Sequence, residues 1–355
     1  MLHAQKRIWS RTLLRFLLMV SAAVFTAPLF TVAAPQAPQR PPAAQPQRPP
    51  AAAQRPTTNR RPATKSDKDI PPPEEITGRQ LATSDGVMLQ ATFYPGTNGK
   101  DSVPVLLLHN WKSSRKEFAV LAPYLQERLG CAVLVPDLRG HGESTTKIEV
   151  YRGRPKETKV DASRFRTNDF AAIAKLDMGA LRRFLVEKNN NEELNLNKLV
   201  IVGSEMGAGI GTVWAAYDWN VPNYEHAGIK QGQDVKALVL ISPKLSYSGL
   251  DTSKILSAPG FSPVRDRLSV MILAGKKGDS RRLRDIERIE AKLMLNRPEP
   301  EEPIDRTVLY FPFDTSEQAG ELLNYRPFNL PNFIARFIEE RVIKGEPDAA
   351  WMKHR

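Results

Sequence analysis

The 355-residue chain has a single cysteine, Cys131, and only five histidines. One thiol excludes an intrachain disulfide. Its place at the head of the apolar run Cys131-Ala132-Val133-Leu134-Val135 reads as a buried, inert side chain. No cysteine stands directly after the N-terminal leader, which argues against a lipid-anchored form. The motifs C-x-x-C, H-E-x-x-H and G-x-x-x-x-G-K are also absent, so zinc, metalloprotease and phosphate-cradling chemistry have no motif to rest on. No metal and no cofactor is expected. Glu205, Asp279 and either Asp314 or Glu317 could share a cation as oxygen ligands, but nothing in their spacing demands it. Acidic residues are in deficit, giving a formal net charge of +12. Eleven of the basic and four of the acidic residues lie in residues 1–75, so over half of the excess sits outside the region that can fold. A nucleic-acid partner is therefore not expected.

Residues 1–34 read as a signal peptide or signal anchor. Lys6, Arg7, Arg11 and Arg15 precede an apolar stretch that opens at Phe16-Leu17-Leu18-Met19-Val20, and Val32-Ala33-Ala34 resembles a cleavage site. Pro35 would follow that cut and hinders it, which keeps an uncleaved membrane tether open. Residues 35–75 contain twelve prolines among Ala, Gln and Arg. Such a stretch cannot bury enough apolar surface to fold and reads as a disordered spacer. The expected location is exported: periplasmic, secreted, or tethered on the outer side of the inner membrane. The absence of disulfides favours a bacterial envelope.

From residue 76 to about 345, strand-like and helix-like patterns alternate. Gln80–Thr83 and Met88–Phe93 suggest a hairpin around Asp85-Gly86. Runs 103–108, 132–135, 199–202, 235–241, 268–274 and 307–312 lack polar alternation, as strands covered on both faces do. Ser114-x-x-Glu117 reads as a capping box before a helix that ends at Gly130. Residues 145–166 show no clean period, Asn189–Asn191 suggests a loop, and 346–355 reads as a basic tail. The fold class expected is α/β: a mostly parallel sheet with helices on both faces and an N-terminal antiparallel hairpin.

One turn organises this pattern. Leu199–Val202 runs into Gly203-Ser204-Glu205-Met206-Gly207, the outline of a nucleophile elbow, G-x-S-x-G, with Glu205 where serine belongs. Three further stretches fall in order around it: Leu107-Leu108-His109-Asn110-Trp111, Asp137-Leu138-Arg139-Gly140-His141-Gly142-Glu143-Ser144, and Ile241-Ser242-Pro243 followed by Gly275–Asp279. On these motifs residues 77–343 resemble the α/β-hydrolase superfamily, nearest to dienelactone-hydrolase-like and serine-aminopeptidase-like esterases.

The resemblance implies a nucleophile, an acid and a histidine in that chain order. Glu205 takes the nucleophile position. Asp279 is the candidate acid, one residue late in its loop, with a plain loop aspartate as the other reading. Gln318 falls at the histidine position, in Gln318-Ala319-Gly320-Glu321-Leu322-Leu323. Glutamine cannot serve as a general base. The backbone N–H groups of Trp111 and Met206 would form the oxyanion hole, although Asn110 replaces the family's glycine. His109 and His141 belong to structural loops. The resulting expectation is a catalytically degenerate hydrolase fold kept for binding a small molecule or a protein. The alternative is an active ester or acyl hydrolase in which Glu205 is nucleophile or base.

Overall fold

The computed structural model describes residues 70–222, 228–247, 249–295, 297, 307–345 and 349–355. The leader 1–34, nearly all of the linker 35–75, and His3 and His226 lie outside the described residues. Eight strands form the main sheet: β1 (Glu74–Ile76), β2 (Gln90–Tyr94), β3 (Pro104–Leu108), β4 (Ala132–Asp137), β5 (Leu199–Ser204), β6 (Val235–Ile241), β7 (Ser269–Gly275) and β8 (Val308–Phe313). Their order is β1-β2-β4-β3-β5-β6-β7-β8. β2 runs antiparallel to both of its neighbours, and all other pairs are parallel.

The central strands are apolar apart from Ser204, Lys236 and Ser269 at or next to their ends, because both faces are covered. Ile201 pairs in register with Leu106 and Leu238, and Val202 with Leu107 and Val239. Odd and even residues feed two separate cores. One takes Leu106, Ile201, Leu238 and Ile272 together with helices α2 (Met178–Asn190), α3 (Met206–Asn220) and α4 (Ser280–Met294). The other takes Val105, Val202, Val239 and Leu273 with α1 (Leu121–Leu129) and α5 (Leu330–Ile338). Gly130 ends α1 in the left-handed region, at φ 69°, as its position after the helix predicts.

Four local expectations are corrected. The N-terminal antiparallel partner of β2 is Glu74–Ile76, which straddles the end of the expected linker at residue 75; Gly78–Leu81 forms a 3₁₀ turn, and Ala82 only bridges Met88. Ser114 makes no side-chain cap, because Glu117 is turned towards the amide of Asn110. The patternless 145–166 segment contains a hairpin, Thr146–Tyr151 against Arg154–Lys159, which pairs through Val87–Met88. Finally, residues 349–355 are no loose tail: Lys353–His354 forms a strand beside Ile229–Lys230. Among the described residues no helix is long and apolar enough to cross a membrane.

Candidate active site

The turn after β5 is a strained elbow. Glu205 sits at φ 39°, ψ −93°, a region that side-chain-bearing residues avoid and that functional turns tolerate. Its amide donates to Ile241 O at 2.9 Å, and α3 starts at the next residue. The framing glycines are required by close approach. A Cβ on Gly203 would lie 2.4 Å from the backbone of Gly207 and Ala208, and one on Gly207 would lie 2.0 Å from Leu108 O. The hydroxyl of Ser204 is buried with no hydrogen-bond partner among the described residues.

Glu205 is buried, at 8% exposure, yet its carboxylate is neutralised on both oxygens. Lys244 Nζ donates to Oε2 at 3.0 Å, and the Arg282 guanidinium donates to Oε1. Lys244 comes from the segment after β6 and Arg282 from the first turn of α4. Neither was legible as a site residue. Tyr247 lies against the Lys244 ammonium at 5.5 Å, and burial, with the Glu205 charge, pushes its phenol up to about 12.

The two amides expected as oxyanion donors, those of Trp111 and Met206, already have an acceptor. Asn110 Oδ1 accepts from Trp111 N at 2.7 Å and, more weakly, from Met206 N at 3.4 Å. Two amides converging on one oxygen is the geometry of an oxyanion hole. Here the oxygen is a side-chain amide of the same chain. Asn110 is fixed from below, its own N–H donating to Glu117 Oε2 at 2.9 Å.

At the histidine position, Gln318 is spent on its neighbours. Its Nε2 donates to Gly275 O at 2.9 Å and its Oε1 accepts from Ser242 Oγ at 2.8 Å. Ser242 Oγ accepts in turn from Ala319 N at 2.9 Å. The carboxamide therefore ties the ends of β6 and β7 together and makes no hydrogen bond to Glu205. Asp279 is exposed and caps α4, accepting from Arg281 N at 2.8 Å. That hydrogen bond, with the nearby Arg282 and Arg281 charges, keeps its carboxyl below the usual range. Nothing joins it to Gln318, so the acid of the expected relay serves as a helix cap. Asp314 is paired with Lys276 and Lys277, so it does not join Glu205 and Asp279 around a cation. Among the described residues no three His, Cys, Asp or Glu side chains cluster as metal ligands.

The two remaining motif histidines are structural. His109 accepts from Leu138 N through Nε2 at 3.0 Å and donates through Nδ1 to Asn110 O at 2.7 Å. It thus ties the oxyanion loop to the Asp137–Ser144 turn. Burial drives its pKa down to about 3, so it stays neutral. His141 packs edge-on against Trp111 at 5.0 Å. Within the same turn Asp137 accepts from Arg115 N and Glu143 N, and a Cβ on Gly142 would strike its carboxylate. A cavity of about 560 Å³ lies elsewhere, between the Thr146–Lys159 hairpin, Asp85, Arg139 and the Val160–Asp169 segment, and Glu205 does not line it.

Strand order, a strained elbow between glycines and paired oxyanion amides define an α/β-hydrolase scaffold. The family model for the alpha/beta hydrolase fold matches residues 103–268. With the sheet order described above, this match gives the chain the α/β-hydrolase fold. Its fold is similar to that of an esterase from Pyrococcus furiosus, with a TM-score of 0.51 and 15% identity over 76% of this chain and 92% of that one. It is similar to the carboxylesterase EstE1, cloned from a metagenomic library, with a TM-score of 0.51 and 14% identity over 78% and 91%. It is also similar to esterase 2 of Thermogutta terrifontis, with a TM-score of 0.50 and 17% identity over 77% and 96%. No curated protein matches the chain at a significant level.

Proposed function

We propose that this chain is an exported α/β-hydrolase-fold protein whose serine-hydrolase chemistry has been dismantled, and that it is retained to bind a small molecule or a protein partner. The observation that carries this reading is the occupied oxyanion hole. An acyl-transfer site works by presenting unsatisfied N–H donors to charge that develops only in the transition state. With Asn110 Oδ1 on the Trp111 and Met206 amides, an incoming carbonyl must first displace an internal hydrogen-bond acceptor. The other two stations agree. The Glu205 oxygens are held by Lys244 and Arg282, leaving the carboxylate poorly placed to attack, and Gln318 offers no base.

The competing reading, Glu205 as nucleophile or as base for a bound water, draws on the retained elbow strain at Glu205. The test is turnover of activated short-chain esters by the purified protein, beside labelling with a fluorophosphonate. The expected result is no labelling and no turnover that depends on Glu205. Ester hydrolysis abolished by Glu205→Ala would overturn the degenerate reading in favour of a carboxylate enzyme. Export and tethering rest on the basic-then-apolar leader and its proline-rich spacer. Cell fractionation of the full chain with and without residues 1–34 tests them, with a cytoplasmic location for the full chain as the refuting outcome.

A further inference from the structure

At the opposite end of the sheet from Glu205, where β5 and β6 begin, four asparagines surround the last seven residues. Asn195 Nδ2 donates to Ala349 O at 2.9 Å, Asn197 Nδ2 to Ala350 O at 2.5 Å and Asn189 Nδ2 to Met352 O at 2.8 Å. Asn190 grips His354 twice, its Nδ2 donating to His354 O at 2.8 Å and its Oδ1 accepting from His354 N at 2.9 Å. Arg182 donates to Arg355 O at 2.9 Å. Almost every contact is with peptide backbone, and the Lys353–His354 strand adds a parallel pairing with Ile229–Lys230.

The grips are set by the groove itself. Asn189 Oδ1 accepts from Leu196 N at 2.9 Å, Asn195 Oδ1 from Asn197 N at 3.1 Å, and Asn197 Oδ1 from Lys230 Nζ at 2.6 Å. Each carboxamide is thus fixed through its oxygen by the groove, which leaves its N–H₂ aimed outward at the strand. These three asparagines and Lys230 are all nearly fully buried. Two side chains of the strand are also recognised. Trp351 Nε1 donates to Asn189 O at 3.1 Å, and the His354 ring lies with Nε2 3.1 Å from Asp234 Oδ1. Pre-set donors read an extended backbone at little reorganisation cost.

We infer that this asparagine-lined groove is a peptide-strand acceptor site, and that residues 349–355 are a separable ligand for it, an extended peptide carrying tryptophan and, three residues on, histidine. The site is independent of the elbow and of whatever the elbow binds.

The test uses the chain ending at residue 348 and the synthetic peptide Ala-Ala-Trp-Met-Lys-His-Arg. Saturable binding by calorimetry is expected, with recovery of the thermal midpoint of the full chain. A peptide with alanine for histidine should bind about tenfold or more weakly, and one with alanine for the exposed lysine should bind equally. A shortened chain that is as stable as the full one and binds no peptide would overturn the inference. Should the shortened chain fail to fold alone, refolding with the peptide must restore its native circular dichroism, and recovery with a scrambled peptide as well, or with neither, refutes it. In the full chain, His354→Ala should speed trimming by carboxypeptidase; unchanged trimming counts against a site that holds the strand.

Discussion

Asn110 Oδ1 lies 2.7 Å from the amide nitrogen of Trp111, its own successor in the chain, and 3.4 Å from that of Met206, which is 96 residues away. The second contact couples the loop after β3 to the first turn of α3. A carboxamide oxygen carries partial negative charge and two lone pairs, so it is a fair neutral mimic of an oxyanion.

Emptying the hole should therefore matter only when a nucleophile and base are also supplied. Glu205→Ser with Gln318→His is expected to label with a fluorophosphonate slowly. Adding Asn110→Gly should raise the labelling rate on the order of 10²-fold, the usual worth of an oxyanion donor. An equal rate with and without Asn110→Gly would show that Asn110 does not block the hole.

The Glu205 carboxylate matters to folding as well as to the proposed function. Glu205→Ala leaves Lys244 and Arg282 facing each other without the shared anion. Both cations are partly solvated, so the loss is discounted from that of a fully buried pair to roughly 1–2 kcal/mol in urea unfolding. Lys244→Met in the Glu205→Ala background should recover part of that loss, because it removes a cation left unpaired.

Acid should weaken the fold through His109. Burial depresses its folded pKa to about 3 from an ordinary value of 6.5, and the unfolded chain regains the ordinary value. Between those two values the unfolded state binds the additional proton, so stability falls as pH falls through that window. Above about pH 6.5 neither state carries the proton and this contribution is flat. His141, also held down chiefly by burial, acts with the same sign. Urea midpoints measured across this range should slope downward towards acid, and His109→Gln should shallow the slope. An unaltered slope in that variant would exclude His109 as its source.

Two glycines predict opposite results from one substitution. Gly207→Ala drives a Cβ to 2.0 Å from Leu108 O, between β3 and α3, where backbone lies on both sides. Loss of soluble protein, or a cost of about 3 kcal/mol or more, is expected. Gly179 sits in α2 with open space at its Cβ position. Gly179→Ala should stabilise by about 1 kcal/mol through helix propensity alone. Thermal melts of both variants give the comparison directly.

What sequence could supply followed the range of the interactions. Leu199–Val202 and Val235–Ile241 announce buried strands because every residue but Lys236 is apolar, and Gly203 and Gly207 announce the turn by size alone. Glu205 and Gln318 were legible as departures from a motif. Their partners were not, since Lys244 and Arg282 stand 39 and 77 residues from Glu205 and are ordinary surface cations in composition. The Thr146–Lys159 hairpin escaped because it lies largely exposed, so Lys147, Glu149, Arg154 and Lys156 give no apolar alternation. Ser114 and Glu117 matched a capping pattern, but a tertiary partner, the Asn110 amide, claimed the carboxylate. The last seven residues carry no apolar period because their recognition runs through backbone groups.

That final strand also has a consequence for the order of events in the cell. A chain leaves the ribosome N-terminus first, and Ala349–Arg355 are made well after the groove that receives them. The asparagines, Arg182 and Asp234 that receive them lie more than a hundred residues upstream. The acceptor groove can therefore form before its strand has been made, so closing this end of the sheet is a late step in the folding of the domain.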